Sequence, residues 1–532
     1  MMADAARIQN GLPFQRAVLR FQVVSPIHIG TREGRLLPME FMSAHNRVYI
    51  IDEEKLGRYL KSQGFQAIDR FVRAAGNGDL RRGMSRFLTQ ELRVTQARLQ
   101  EVAEMVSSCH IDGGGSDMSE FRPFVRDGFG RVCVPGTSIK GIFRTAAIYG
   151  ILKGDTLKKD RSEEQVQNKV SQLARSGGGK ELKKESLSQE ILQERLLQSF
   201  KIPNAKQPQN RDLLRCLKVR DAYPLEGTCK TRVVKIDFLS KKKTGDFYWS
   251  RQKKWDHAAG ASVDMDKPLS IWVEALVAGI FETEVIWDRQ LFEVFRGENR
   301  EYSTWPLTGL EDLYRSASGM CQDIIRHERD FFTGGGEAAG KSLQSWYRSL
   351  KGDFLRIGFG SGMLGTTVNL LWNEKLRQRI RNECGHPRQD DPAPKSRRVW
   401  MCGPSAWRPM GWVRIIGPDE SLDALINQEK HQSETPEASA VSPAAAGGGR
   451  NISRPTVAPP AEPKPNVKAL MDQARSIPID DRMNLERLVE RLDELEPKDA
   501  RAVAEILEQR LIEAGRWKKH PLMSDIKMFL DV

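Results

Sequence analysis

The stretch "VPGTSIKGIFRTAAIYGIL", from Val134 to Leu152, joins a turn to an apolar periodic segment. Pro135 and Gly136 are typical turn residues, and Thr137 or Ser138 can cap the helix that follows. The first backbone N–H groups of a helix have no partner inside it, and the helix dipole adds partial positive charge there. The stretch therefore predicts a helix whose start can hold an anion.

Two cations strengthen that prediction. Lys140 lies in the first turn of the predicted helix, and Arg144 lies one turn further along the same face. The spacing differs from that of a Walker A loop, so a nucleotide triphosphate is not indicated. The two open interpretations are a seat for phosphate and an ordinary capped helix with two solvated cations.

A second glycine-rich motif, "RIGFGSGMLGTT", lies between a predicted strand and a predicted helix. It resembles a dinucleotide-binding fingerprint, but no βαβ unit with an acidic strand end follows it. Glycine allows the backbone to approach a ligand or another backbone closely, so a binding loop and a tight structural turn are both open. The glycines in question are Gly358, Gly360, Gly362 and Gly365.

The charge of the chain favours a polyanionic partner. The net charge is +13 over 532 residues, and residues 1–429 alone carry 67 basic and 53 acidic side chains. Such an excess is typical of nucleic-acid-binding proteins, although many soluble domains are also basic. The seven cysteines form no Cys-x-x-Cys pair, and we find no apolar run of about 18 residues and no signal-like segment. We therefore expect a cytoplasmic protein without metal or other cofactor.

A stretch of mixed cations and aromatics, "SKKKTGDFYWSRQKKW" at 240–255, is a second candidate for binding a single strand. Bases stack on aromatic rings while phosphates meet lysine and arginine, so Lys242 and Trp249 are candidate contacts. A hairpin turning near Thr244–Gly245 would present both. The alternative is that the aromatic side chains alternate into a core and the lysines form a solvated rim.

The periodicities predict an α+β protein with a helical C-terminal module. Residues 153–197 read as a charged, partly helical insertion, and 430–466 as a disordered linker rich in Pro, Ala, Gly and Ser. Residues 467–532 have apolar positions at helical spacing and almost no net charge, which predicts a helical docking module. Residues 64–108 are predicted to be helical.

The order of these motifs resembles that of RAMP proteins of type III CRISPR effector complexes, and most of all the fifth Csm subunit of the type III-A complex. The resemblance spans about residues 15–418 and rests on "SPIHIGTREGRLLPMEF", "VPGTSIKGIFRTA", "LKVRDA", "WVEAL" and "RIGFGSGMLGTT". It implies two ferredoxin-like, RNA-recognition-motif-like domains, which we assign to 15–210 and 211–429, with helical insertions. Neither the 430–532 extension nor the 153–197 insertion follows the family pattern.

The resemblance implies a noncatalytic subunit that binds the 3′ part of the guide RNA (crRNA), caps the backbone filament, and meets target RNA indirectly. Its partners would be other RAMP subunits of the complex, with an accessory protein or neighbouring subunit for 467–532. It implies RNA contacts at Gly136, Ser138, Ile139, Lys140, Gly141 and Arg144, and a loop shaped by Gly360, Gly362 and Gly365.

Two catalytic alternatives stay open at the level of sequence. His28 follows the first predicted strand, where some RAMP endoribonucleases have a catalytic histidine, but a structural or RNA-contacting role is favoured because no partner for acid–base chemistry is evident. Asp112 and Asp117 lie in a glycine-rich loop and resemble the loop aspartates with which backbone RAMP subunits cut target RNA. A loop of this composition is more often only a loop.

Overall fold

The computed structural model divides the chain into two units, residues 1–438 and 439–532. It describes residues 8–11, 13–31, 34–44, 47–82, 84–105, 118–175, 188–256, 261–302, 304–334, 336–383, 390–403, 405–434, 467–477, 485, 488–489, 492, 497–514, 523, 526 and 530. Asp112, Asp117 and most of the predicted linker lie outside these residues.

The strands of the first unit are all antiparallel to their paired neighbours, and mixed helix and sheet is confirmed. They are β1 (Gln9–Asn10), β2 (Phe14–Val23), β3 (Phe41–Ala44), β4 (Arg47–Ile51), β5 (Ala103–Met105), β6 (Leu217–Val219), β7 (Tyr223–Pro224), β8 (Lys230–Lys241), β9 (Phe247–Trp249), β10 (Arg251–Asp256), β11 (Ala261–Pro268), β12 (Ser270–Ala278), β13 (Ile280–Asp288), β14 (Phe354–Arg356), β15 (Ser396–Gly403), β16 (Ala406–Pro409) and β17 (Trp412–Ile415).

Nine helices of eight or more residues are described in the first unit and two in the second. They are α1 (Glu53–Ser62), α2 (Phe65–Gly76), α3 (Gly136–Gly154), α4 (Thr156–Arg175), α5 (Arg289–Glu298), α6 (Leu310–Phe331), α7 (Ala338–Ser349), α8 (Glu374–Glu383), α9 (Leu422–Glu434), α10 (Val467–Ser476) and α11 (Pro497–Glu513). Among the described residues, no helix has both the length and the apolar character needed to cross a membrane.

The larger sheet has the strand order β14-β17-β2-β13-β6, with β1 beside β2 and β7 beside β13. Strand β2 alternates buried and more exposed side chains, as a strand with one buried face does. Helices α3 and α6 cross closely where a Cβ on Gly150 would stand 2.3 Å from the hydroxyl of Ser316. Small residues at the crossing let the two helices share one core with the sheet.

The second sheet has the order β12-β8-β15-β16, with β9 beside β8. Strands β12 and β13 follow one another directly in the chain, with Gly279 as the single residue between them. Gly279 has a φ of 140°, and the strands on its two sides enter different sheets, since β12 pairs with β8 while β13 pairs with β2. This turn therefore joins the two sheets.

The strands do not divide at the predicted domain boundary. Strand β2 comes from the predicted 15–210 domain, yet it pairs with β13 and β17 from the predicted 211–429 domain. The larger sheet is shared between them, so the division at 210/211 stays a prediction. Helix α9 continues through Glu434, into the predicted linker.

A small sheet, β3-β4-β5, and helices α1 and α2 form a separate hydrophobic cluster. The Asp52 side chain caps α1 by accepting a hydrogen bond from the amide of Lys55 at 2.9 Å. The prediction of helix throughout 64–108 is wrong at its end, because Ala103–Met105 pairs with β4 as strand β5. The charged insertion is helical in α4, and residues 176–187 lie outside the described part.

The second unit is helical where it is described and has its own core. Helices α10 and α11 contribute to it together with the few helical residues that are described between and after them. The buried side chains of this core are Leu470, Ala474, Ile477, Leu485, Leu488, Val489, Leu492, Ala500, Val503, Ala504, Leu507, Leu511 and Ile526.

Candidate nucleic-acid interface

The start of α3 is packed against the chain just beyond β6. The backbone N–H of Gly136 donates a hydrogen bond to Oδ1 of Asp221 at 2.7 Å. A Cβ on Gly136 would stand 2.3 Å from the carbonyl oxygen of Val219, so only glycine fits this approach. The amides of Ser138 and Ile139 both point to the carbonyl of Pro135. A carboxylate of the protein itself therefore occupies the positive end of this helix.

The two predicted cations of α3 also have partners inside the protein. Nζ of Lys140 donates to the carbonyl oxygen of Leu217 at 2.6 Å, and burial, followed by the charge of Arg144, lowers the pKa of Lys140. Arg144 donates to Oδ2 of Asp212 at 2.7 Å, and Asp212 is 6% exposed. The structure thus brings Lys140 and Arg144 together, but as members of a satisfied network.

A polar cavity of about 590 Å³ lies beside this network. Its lining includes the two cations of α3 and a run of glutamines from the segment before Asp212: Lys140, Arg144, Gln189, Gln193, Glu194, Gln198, Gln209, Asp212, Leu214 and Arg215. An RNA phosphate here would have to displace Asp212 or share its cation. Of the other predicted contacts, Ile139 is buried, while Gly141 is exposed with nothing within 4 Å of its Cβ position.

The glycine-rich loop packs tightly against two other segments. A Cβ on Gly358 would lie 2.4 Å from the carbonyl oxygen of His28, and one on Gly360 would lie 2.5 Å from Cβ of Met410. Both glycines have positive φ, at 75° and 91°. Gly362 also has positive φ, but its Cβ position has nothing within 4 Å. Gly365 is buried, and a Cβ there would lie 3.0 Å from Cβ of Ser361. Gly358, Gly360 and Gly365 thus serve packing, and of the four glycines Gly362 alone has open space at its Cβ position.

His28 lies at the centre of this packing. Its ring is 2% exposed and makes edge contacts with Phe124 and Phe359. Nδ1 lies 2.7 Å from the carbonyl oxygen of Glu274, which can only accept, so Nδ1 carries the hydrogen. Burial lowers the pKa of His28 to about 4, against the backbone hydrogen bond that raises it. A buried neutral ring in this position holds the loop against β12.

Three arginines surround the aromatic tip of the loop. The guanidinium carbons of Arg398 and Arg122 lie 4.9 and 5.9 Å from the ring centroid of the half-buried Phe359. Nη2 of Arg356 donates to the carbonyl oxygen of Gly360 at 3.1 Å. We call Arg122, Arg356 and Arg398 with Phe359 the arginine cluster.

The carboxylates near this cluster compensate only part of its charge. Arg122 shares Glu120 with Arg35, and Arg356 shares the buried Glu328 with Arg397. Within the described part of the chain, Arg398 has no carboxylate partner, and its Nε is buried without a hydrogen bond.

The surroundings of Arg398 leave it with unused capacity to bind an anion. Burial, then the charges of Arg356 and Arg122, lowers the pKa of Arg398. A partly buried guanidinium with unused N–H groups is a costly arrangement, and an anion such as a phosphate diester restores both its charge and its hydrogen bonds.

Sequence reasoning missed the arginine cluster. Arg122, Phe359 and Arg398 are far apart in the chain, and each is an ordinary residue in its local context. The one local signal is the aromatic residue between two glycines in "GFG", which a solvated turn does not require.

The predicted hairpin of the cation–aromatic stretch is present. Strand β9 pairs with the end of β8, with Lys241 opposite Phe247 and Leu239 opposite Trp249. Phe247 is 9% exposed and joins the core, and Trp249 packs near Trp407 while its Nε1 donates to Glu337 at 3.3 Å. The core alternative therefore describes Phe247 and much of Trp249.

Tyr248, between these two aromatic residues, has lysine side chains beside its ring. Nζ of Lys242 and Nζ of Lys395 lie 5.6 and 5.2 Å from its ring centroid. An RNA contact at Lys242 stays a prediction. No group of three or more His, Cys, Asp or Glu side chains within the described residues could hold a metal ion.

Comparison with known proteins points to one family and one fold. The family model of the RAMP superfamily matches residues 20–362, which is more than half of the chain. No curated protein sequence matches the chain. A chain of a cryo-EM structure of a Csm-crRNA-target RNA ternary complex in a type III-A CRISPR-Cas system has a similar fold, with a TM-score of 0.50 and 20% identity over 75% of this chain and 99% of that chain. The crystal structure of T. onnurineus Csm5 aligns with a TM-score of 0.45 and 19% identity over 74% of this chain and 99% of that chain.

Proposed function

The chain belongs to the RAMP superfamily, and from that premise we propose that it is a guide-RNA-binding subunit of a type III-A CRISPR complex. In this proposal it binds the 3′ part of the guide RNA, ends the backbone filament, contacts other Csm-type RAMP subunits and meets target RNA through the guide. Two ferredoxin-like, RNA-recognition-motif-like halves are part of the same proposal, and the fold shared with a chain of a Csm complex supports it.

The observation that carries RNA binding is the uncompensated Arg398 beside Phe359. A ribonucleic acid strand offers phosphates for the guanidinium and bases for the ring at the same place. The net charge of +13 favours the same partner over an acidic small molecule, because it draws a long polyanion to the whole surface.

Salt dependence of RNA binding tests this assignment. The slope of log Kobs against log salt is negative for RNA binding. Arg398→Gln is expected to make it shallower by about 0.7, the value for one single-strand phosphate contact. Arg296→Gln is the matched control, because it removes the same charge from an exposed side chain on α5 that pairs with Glu293. Equal slopes for both variants would argue against a phosphate at Arg398.

The position in the complex needs a separate experiment. In a complex reconstituted with its neighbouring subunits, photo-crosslinks from the chain are expected on the 3′ part of the guide. Omitting the chain should expose those nucleotides to nuclease. Crosslinks confined to the 5′ end would contradict the capping role.

We propose that the chain itself does not cleave RNA. The buried ring of His28 supports this, because a general acid or base has to reach the proton that it transfers. Purified chain is expected to leave both guide precursor and target RNA intact. Cleavage that His28→Ala abolishes would establish the endoribonuclease alternative, and cleavage that Asp112→Ala or Asp117→Ala abolishes would establish the backbone-subunit alternative.

A further inference from the structure

A tight turn at residues 127–131 is held in one conformation by a single carboxylate. Oδ1 of Asp127 accepts from the amides of Phe129 and Arg131, both at 2.9 Å. Oδ2 accepts from Nε of Arg131 at 2.8 Å and from the hydroxyl of Tyr223 at 3.2 Å. Burial opposes the charge, but these hydrogen bonds outweigh it and hold the pKa of Asp127 at about 2. The turn is therefore stabilised by hydrogen bonds between its own residues.

This ordered turn projects an aromatic ring into solvent. Phe129 is 86% exposed. A single exposed apolar side chain is common on protein surfaces and does not by itself mark a site. What distinguishes Phe129 is that its backbone is fixed, so that little conformational entropy remains to be lost when a ligand stacks on the ring.

The ring is also backed by a cation. The guanidinium carbon of Arg131 lies 5.3 Å from the ring centroid of Phe129 and 4.7 Å from that of Tyr223. Arg131 thus lies between two rings, held by Asp127, while its side chain is still 60% exposed. A flat ring with a guanidinium beside it suits a nucleobase, which stacks on the ring while the adjacent phosphate meets the cation.

The turn lies on the same segment as the arginine cluster. The chain from Arg122 to Phe129 spans at most roughly 25 Å when extended. Arg122 is bridged to Val273 of β12, and residues 132–134 lead from the turn directly to the start of α3. One RNA strand passing the cluster is therefore within reach of the turn.

We propose that Phe129, backed by Arg131 and Tyr223, is a stacking platform for one unpaired base of the RNA strand. The inference rests on the proposed function, and it adds a base-contacting site that lies outside both glycine-rich motifs. A hydrophobic pocket on a neighbouring subunit is the competing occupant. The Arg131 guanidinium beside the ring and the hydrogen-bonded turn that carries Phe129 favour the base.

The test measures stacking directly in the full-length protein. Guide-length single-stranded RNAs carry 2-aminopurine at one position each, and protein binding is expected to quench one of them through stacking. Phe129→Ala should abolish that quench and weaken binding by about 5- to 100-fold, the usual effect of losing one stacked base. Phe129→Trp should keep the quench, because it keeps a flat ring. Phe65→Ala is the matched control, since Phe65 on α2 is 81% exposed and is expected to have no effect.

Each other outcome overturns the proposal. Unchanged quenching and affinity in Phe129→Ala rule out the platform, as does an equal loss in Phe65→Ala. If Phe129→Ala keeps its RNA affinity but no longer joins the reconstituted complex, the ring docks on protein. Failure of the proposed function is separate: a wild-type chain that binds RNA without sensitivity to Arg398→Gln refutes the cluster, whereas sensitivity at Arg398 with none at Phe129 refutes only the platform.

Discussion

Asp212 accepts a hydrogen bond from Arg144 at 2.7 Å, although Arg144 is one of the two cations that the sequence predicts for an RNA phosphate. The same carboxylate accepts from Gln198 and from the amide of Leu214, both at 2.9 Å. The anion next to Arg144 is thus already supplied by the protein. Whether an RNA phosphate competes with it can be decided by comparing stability with RNA affinity.

We predict that Arg144→Ala lowers the free energy of unfolding by about 2 kcal/mol, because it leaves the carboxylate of Asp212 buried with less compensation. Urea unfolding of the full chain measures the loss. In an Asp212→Asn background the same substitution should cost less, by a coupling of about 1 kcal/mol. Arg215→Ala is the control from the same cavity wall, because Arg215 is exposed and its guanidinium donates to the backbone carbonyl of Asn210 rather than to a buried carboxylate. Intact stability with a large loss of RNA affinity would restore the phosphate seat.

A second prediction concerns two glycines of α3. Gly136→Ala should destabilise the protein by about 2 kcal/mol, since the new methyl group meets backbone oxygens of Val219 and Arg220 at 2.3 and 2.7 Å and these cannot turn aside. Gly141→Ala should instead stabilise by up to about 1 kcal/mol, because Gly141 is exposed in the same helix with nothing within 4 Å. The difference between the two unfolding midpoints is the measurement. Equal effects would mean that the start of α3 does not pack on the chain beyond β6.

Local patterns in the sequence predict the local elements well. The Asp52 cap, the alternation along β2 and the hairpin at 242–246 depend on residues within a few positions of one another. The same holds for the apolar positions of α11, which form a core with their own neighbours.

Contacts made by the topology could not be predicted in this way. Arg398 meets Phe359 because the loop after β14 packs on β15, where a Cβ on Gly360 would lie 3.8 Å from Cβ of Arg398. Lys140 reaches the carbonyl of Leu217 because β6 begins next to α3. Neither pair shares a local pattern. The part of the candidate site that was predicted is therefore the part with internal partners. Arg398, for which the described residues supply no carboxylate, was found only in three dimensions.

The third prediction is a pH dependence of stability from His28. Its pKa falls from 6.5 to about 4 on folding, so between these values the unfolded chain binds a proton that the folded chain does not. As far as this group is concerned, the free energy of unfolding is highest above pH 6.5. It falls by about 3 kcal/mol in total as the pH is lowered toward 4. The slope of the unfolding free energy against pH reports how many more protons the unfolded chain binds than the folded chain. His28→Gln should reduce that number by about one in this pH range. His327, whose pKa burial also lowers, keeps its contribution in both proteins, so the difference reports His28.

The last prediction concerns the C-terminal unit, for which the family offers no counterpart. Residues 467–532 carry 12 basic and 14 acidic side chains, so they lack the charge excess of an RNA-binding surface. Their helices have a core of their own, and the unit begins after Ala438. A folded module attached through a long segment rich in Pro and Ala gains a high effective concentration near the body, which suits protein docking.

We predict that ending the chain at Ala438 leaves guide-RNA affinity within about twofold and removes one protein partner from pull-downs, in line with docking by this module. The matched variant is the full chain with Leu488→Asp and Leu507→Asp, two positions that are 0% and 1% exposed in the module core. Charges there should unfold the module while leaving the connecting segment in place. Both variants should lose the same partner, because docking needs the folded helices. If truncation abolishes RNA binding, or if the core variant keeps every partner that the truncation loses, the docking element lies in the connecting segment or the body and the assignment of 467–532 is wrong.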